Sequence, residues 1–275
     1  MRDVKLLMEN IVLGECPRWH EGRLWFADWG AREMIAVGMD GRHEVIDRVD
    51  ALPFSFDWQL DGRQLVIADK MLWRREANGV LAPWVDLSDY GELGWNEIVV
   101  DGRGNIYLNN VNFKFPGGEF KPGHAALVTP DGKVKIVAEG LAFPNGMAVT
   151  PDNRTLIIGE SFSTTLSGFD IAADGSLTNR RVWAKLDGGP DGITMDAKGA
   201  IWSSAGPKAV RVREGGEVLE TIPLDRFCFA TMLGGEDGRT LFMVCNEWTG
   251  STVNLERTGR VYWTRVESPR AGWPG

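Results

Sequence analysis

The chain has 275 residues, 43% of them hydrophobic, and carries a net charge of −8 at neutral pH. That acidic balance argues against a nucleic-acid footprint or an anionic membrane surface, and no apolar run approaches the roughly 20 residues that span a bilayer. Met1 to Leu13 has no signal-peptide pattern, and Cys16, Cys228 and Cys245 show no CxxC spacing, so the expectation is a reduced, cytoplasmic protein with buried thiols. The 34 glycines and 12 tryptophans, with only 3 histidines and little helical periodicity, point to an all-β protein with many turns.

Taken from the N-terminus, the predicted elements repeat one unit six times. Segments starting at Glu15, Ser55, Asn96, Asn145, Asp191 and about Phe229 each have an alternating run, a turn, and a second run ending in a polar residue. The first turns fall at Glu21-Gly22, Asp61-Gly62, Asp101-Gly102, Asp152-Asn153, Ala197-Lys198-Gly199 and Asp237-Gly238, which is hairpin chemistry. A second series follows at Asp40-Gly41, Asn78-Gly79, Asp131-Gly132, Asp174-Gly175 and Gly215-Gly216. Each unit is then four strands, and a period of about 40 to 50 residues is that of a propeller blade. The sixth unit lacks a second turn; "GRVYWTRVE" (259–267) reads as its third strand, after which the chain ends. "VKLLMEN" (4–10) precedes Glu15 as "VKIVAEG" (134–140) precedes Asn145, so the N-terminal run is expected to close the last blade. The prediction is one domain over residues 1–275, a six-bladed β-propeller with four-stranded blades.

The first strand of each propeller blade lines the central channel, so residues just before these strands converge on one mouth. They are Glu15, Ser55, Asn96, Asn145, Asp191 and Phe227 to Phe229. Asn145 and Asp191 stand in one frame, in Pro144-Asn145-Gly146 and Pro190-Asp191-Gly192, where Pro and Gly suit a turn. Each taken alone reads as a turn cap; together the carboxylates and amides form a hard-oxygen set suited to Ca²⁺, Mg²⁺ or Mn²⁺, with Zn²⁺ possible. Glu15 and Asp191 repel each other in a desolvated channel unless a dication stands between them. A wider ring at the second-strand ends comprises Asp28, Asp69, Asn109, Asn110, Glu160, Ser203, Ser204 and Asn246, either substrate contacts or simply solvated strand ends.

Serine-triad chemistry lacks its signals: there is no GxSxG, and His20, His43 and His124 fall away from the strand entrances. No phosphate-binding Gly loop, zinc-spaced Cys/His cluster or dinucleotide fingerprint is present. Cys16 and Cys228 lie near the mouth without a histidine neighbour and read as buried small hydrophobes. The loop 111–124 carries Phe113, Lys114 and Phe115, and is either a lid over the mouth or an ordinary surface loop.

At "GECPRW" (14–19), "WN" (95–96), "FPNGMAVTPD" (143–152), "GFDI" (168–171) and "PDGITMDAKGAIW" (190–202), the chain resembles the senescence marker protein/gluconolactonase/luciferin-regenerating family, also called regucalcin-like. The resemblance spans essentially the whole chain. It implies a propeller with one axial divalent metal, calcium first and Zn²⁺, Mn²⁺ or Mg²⁺ as alternatives, and lactone hydrolysis as the activity. By motif position it makes Glu15, Asn145 and Asp191 the metal ligands, Asn96 a longer contact and substrate-binding residue, and Asp191 the catalytic carboxylate. Sugar-lactone members carry Arg two residues before the Asn; here that residue is Gly94. With Trp95, Phe143, Phe113 and Phe54 expected among the pocket residues, an apolar or aromatic lactone is the expected substrate, bound by a monomer or small homo-oligomer. Phosphotriester hydrolysis on the same site and a non-catalytic metal-binding propeller are the alternatives.

Overall fold

A computed structural model describes residues 2–250 and 256–274. The N-terminal strand β1 (Lys5–Ile11) precedes five four-stranded blades in sequence. Blade 1 is β2 (Gly14–His20), β3 (Arg23–Asp28), β4 (Glu33–Val37) and β5 (His43–Arg48); blade 2 is β6 (Phe54–Trp58), β7 (Gln64–Ala68), β8 (Met71–Arg75) and β9 (Leu81–Asp86). Blade 3 comprises β10 (Glu97–Val100), β11 (Ile106–Asn110), β12 (Gly123–Val128) and β13 (Val134–Leu141). Blade 4 comprises β14 (Pro144–Val149), β15 (Thr155–Glu160), β16 (Thr165–Ile171) and β17 (Leu177–Lys185), and blade 5 β18 (Ile193–Met195), β19 (Ile201–Ser204), β20 (Lys208–Val212) and β21 (Val218–Pro223). Blade 6 takes β22 (Phe227–Gly234), β23 (Thr240–Asn246) and β24 (Gly259–Arg265), and β1 pairs antiparallel with β24 as its outer strand. The ring is thus closed by the strand the sequence proposes for it.

The predicted turns owe their shape to one repeated device. Asp40, Asp61, Asn78, Asp152, Asp174 and Asp237 each accept, through Oδ1, the backbone N–H two residues on. That Asx geometry preorganises the reversal between adjacent strands. Glu21 and Gly22 both take positive φ, as a tight two-residue hairpin demands. At Asp101-Gly102 the reversal runs two residues later than expected, with the positive φ at Gly104. Gly102 instead lies under the ring of Trp273, where a Cβ would stand 2.4 Å from the indole.

Six apolar clusters each fill the space between two neighbouring blades. Outer strands such as β5 and β1 are largely exposed, whereas β7 and β14 are buried throughout. The inner strands β2, β6, β10, β14, β18 and β22 contact their neighbours around the axis, which brings the six strand entrances together.

Where the sequence pattern predicts an end at the third strand of blade 6, the structure continues past β24. Residues 268–274 cross the far end of the channel as an aperiodic strap. Pro269 O accepts from Ala197 N (2.8 Å), Arg270 N donates to Gly238 O (2.8 Å), Ala271 N donates to Met195 O (3.0 Å), and Trp273 pairs in both directions with Val149 (2.8 and 3.0 Å). The strap thereby ties blades 4, 5 and 6, while Trp273 reaches Gly102 of blade 3. Ending the chain after Glu267 is expected to cost about 3 kcal/mol, chiefly through lost Trp273 packing; urea denaturation measures it, and an unchanged midpoint would show the strap to be ornamental.

Candidate metal and active site

The strand entrances are bulged where the candidate ligands sit. In blade 1, Glu15 pairs with Ala27 but Arg18 with Trp25, so one extra residue is inserted directly after Glu15. In blade 4, Pro144 pairs with Glu160 but Met147 with Ile158, and the extra residue falls beside Asn145. Bulges of this kind re-aim a side chain out of the pleat.

The glycines of the two Pro-Asn/Asp-Gly motifs have another cause than turn chemistry: neither Gly146 nor Gly192 takes a positive φ. A Cβ on Gly146 would stand 2.5 Å from Asp191 O and 2.8 Å from Gly192 Cα. One on Gly192 would stand 2.4 Å from Ala230 Cβ and 2.7 Å from its Cα. Successive inner strands therefore meet backbone to backbone, linked by Gly146 N to Asp191 O (3.2 Å) and Gly192 N to Phe229 O (2.8 Å). Gly192→Ala is expected to destabilise the fold by about 3 kcal/mol through overpacking against backbone. A thermal melt within 2 °C of the parent (about 1 kcal/mol or less in a chain of this size) would refute that close approach.

Glu15 is 3% exposed, Asn96 and Asn145 are buried, and Asp191 is half-buried. Five buried amide or carboxylate oxygens lack a hydrogen-bond partner among the described residues, and four belong to this mouth: Glu15 Oε2, Asn109 Oδ1, Asn145 Oδ1 and Asp191 Oδ1. Buried polar atoms are nearly always paired, so such a concentration marks a place built for a ligand. The amides are oriented by their other ends. Asn109 Nδ2 donates to Asn145 O (2.7 Å), Asn145 Nδ2 to Ser161 Oγ (3.4 Å), and Asn96 Nδ2 to Pro144 O (3.3 Å). Each therefore presents a carbonyl oxygen rather than an N–H, the polarity a cation requires.

Burial first, and then the charges of Asp191 and Glu97, push the Glu15 carboxyl well above its ordinary range. Asp191 is raised likewise, by burial and then by Glu97, with the Asn145 side chain opposing. Among the described residues no group of three or more His, Cys, Asp and Glu side chains is gathered to hold a metal. A cage here must draw on amide oxygens, which restricts it to hard cations.

Three residues of this channel were not singled out from the sequence. Arg18, Asp57 and Glu97 lie on the inner strands of blades 1, 2 and 3, and all are buried. Burial raises the Glu97 carboxyl to about 7, with Arg18 opposing. A charged residue inside an otherwise apolar inner strand was the available signal.

Most of the wider polar ring has structural work. Asp28 accepts from the backbone N–H groups of Val12, Leu13 and Ala31. Glu160 accepts from Ala142 N (2.6 Å) and pairs with Arg180 (2.7 Å), while Ser204 Oγ accepts from Asp191 N (3.0 Å). Cys16 and Cys228 are buried, and burial drives the Cys16 thiol up to about 12, so neither is a nucleophile. His20 stacks on Trp58 at 3.8 Å, and His124 packs edge-on to Trp95 at 5.2 Å.

The expected pocket aromatics divide into two groups. Phe54 and Trp95 are fully buried in the clusters between blades 1 and 2 and blades 2 and 3. Phe113 and Phe143 instead join Phe115, Phe120 and Phe162 in one aromatic cluster, with Phe143 stacked on Phe162 at 4.6 Å and Phe113 5.7 Å from Phe143. The cluster joins the loop after β11 to the rim of blade 4, immediately before Pro144-Asn145, and Phe162 is 51% exposed. Phe143 holds φ at 62°, a left-handed conformation that is strained for an aromatic residue and in which its carbonyl accepts from Ser161 N.

The arrangement defines a class: a six-bladed propeller with an axial, oxygen-lined site bordered by phenylalanines on one side. The chain belongs to the SMP-30/gluconolactonase/LRE-like family, whose model matches residues 13–246. It is 26% identical to a 6-deoxy-6-sulfogluconolactonase of Pseudomonas putida, over 96% of this chain and 94% of that one. A diisopropyl-fluorophosphatase of Loligo vulgaris is 26% identical over 53% of this chain and 52% of its own. The crystal structure of a calcium-binding regucalcin from Agrobacterium tumefaciens superposes with a TM-score of 0.81 at 22% identity, covering 98% of this chain and 95% of that one. No helix among the described residues is long and apolar enough to cross a membrane.

Proposed function

We propose that the protein is a divalent-metal-dependent lactone hydrolase acting on an apolar or aromatic lactone. The observation that carries this reading is the set of unpartnered oxygens of Glu15, Asn145 and Asp191 at the channel mouth. Their donor chemistry fits a hard dication such as Ca²⁺, and the lactonases among the relatives support hydrolysis of a cyclic ester. Bound there, such an ion supplies polarisation of the lactone carbonyl. Glu15 and Asn145 hold it. Asp191 orients and deprotonates the attacking water. Asn96 binds a substrate oxygen from the blade 3 side.

Two features favour an apolar substrate over a polyol. The phenylalanine cluster beside Asn145 offers flat apolar surface. A Cβ at Gly94 would stand 3.2 Å from Asp69 Cα, so this backbone leaves little room for the arginine of sugar-lactone members. The likeness to a diisopropyl-fluorophosphatase favours phosphotriester hydrolysis as the second reading. The test is hydrolysis of an aromatic lactone, a sugar lactone and an organophosphate, each with chelator and then with Ca²⁺, Mn²⁺ or Zn²⁺ restored. Metal-dependent turnover favouring the aromatic lactone is expected. Turnover of the sugar alone refutes the apolar pocket, cleavage of the organophosphate alone promotes the second reading, and no turnover at all leaves a metal-binding propeller.

A further inference from the structure

Arg18 lies past the bulge of β2, three residues from Glu15, and is 4% exposed. Its guanidinium donates to Pro17 O (2.9 Å) and to Ile98 O (2.6 Å). It stands 3.7 Å from Asp57 Oδ1 and 3.9 Å from Glu97 Oε2, while Nε makes no hydrogen bond among the described residues. One side chain thus joins the inner strands of blades 1, 2 and 3. Blades 2 and 3 are stitched again where Ser55 Oγ donates to Asn96 O (2.6 Å).

A buried ion cluster of this kind is a poor source of stability, because apolar side chains of similar volume generally serve as well. Charge suggests a different purpose. Glu15, Asp57, Glu97 and Asp191 are four carboxylates on or beside the inner strands. Arg18 and the strap's Arg270, which faces Asp57, are the two cations among them. Asp101 and Asp196 belong to the far turns, where backbone N–H groups and Arg211 engage them. Two negative charges remain, and one dication balances them. Glu97 and Asp57 would otherwise present further carboxylate oxygens to that ion; Arg18 stands beside both, and Asp57 is held as well by Val100 N (2.9 Å) and Trp58 N (3.0 Å).

We propose that Arg18 is a positioning residue for the divalent-ion site. It ties the strand bearing Glu15 to the strand that follows Asn96, and it occupies Asp57 and Glu97 so that only the mouth oxygens face the ion. The inference rests on the divalent-ion reading of the mouth. Lysine cannot replace it, since an ammonium cannot make two carbonyl bonds and reach two carboxylates at once.

Calcium titration calorimetry on metal-free protein tests this, comparing the parent with Arg18→Lys and with Arg18→Met/Glu97→Gln, alongside thermal melts. The double variant removes Arg18 with one of its two carboxylate neighbours, and Asp57 keeps Arg270 and the backbone N–H groups of Val100 and Trp58. Both variants are expected to bind calcium at least tenfold more weakly, the usual effect of removing a support behind a ligand, with melting temperatures close to the parent's. Calcium affinity within about threefold of the parent in either variant overturns the role of Arg18. Absence of calcium binding by the parent overturns the ion reading itself, and this inference with it.

Discussion

Asp191→Asn is expected to lower kcat for the preferred lactone by about three orders of magnitude, the scale of a lost general base. The substitution keeps an amide oxygen in the frame of the Pro-Asp-Gly motif, as Asn145 does in its own, and so retains a donor for a cation. It removes the group that takes a proton. Calcium affinity should therefore fall far less than turnover, because the Glu15 and Asn145 oxygens are untouched. Steady-state kinetics at saturating calcium, with calorimetry for the ion, separates the two. Activity equal to the parent's would defeat the role given to Asp191, and equal losses in kcat and affinity would make it a ligand only.

The second large effect concerns the metal-free protein. Glu15, Asp191 and Glu97 are all raised by burial in the fold, so the folded state binds protons more tightly than the unfolded chain. The sign follows from that excess. Stability from these groups is fully present below their ordinary carboxyl values and is lost as pH rises through the folded values. For Glu97, the window runs from 4.5 to about 7. A carboxyl moved over that span weighs roughly 3 kcal/mol, with Glu15 and Asp191 adding in the same direction. Urea denaturation with chelator should therefore give a metal-free protein several kcal/mol more stable near pH 5 than near pH 8. Calcium should restore stability at pH 8, because it binds the ionised, folded site. A metal-free protein more stable at pH 8 than at pH 5 would contradict the burial assigned to this cluster.

The blade plan was legible because it is local. Each hairpin announces itself within about 15 residues, through alternation and an Asx or glycine turn, and six copies in frame leave little choice of fold. The shared frame of Asn145 and Asp191 was legible for the same reason, since the two recur at one position of a repeated unit. Glycines 146 and 192 looked like turn residues, yet they are required by backbone in the next blade, which no local window contains. Trp95 and Phe113 are alike in composition and in closeness to the mouth. Packing between blades sends one into the core and the other into the rim cluster.

The sequence by itself thus determined the number of blades and the closure by β1, because these follow from periodicity along the chain. Only the tertiary structure decided what fills the channel and what seals it. Arg18, Asp57 and Glu97 come from three separate blades, and the strap of residues 268–274 has no period of its own. Their meeting depends on how separate blades pack around the ring, and the physical cause lies in contacts between blades rather than in any stretch of chain.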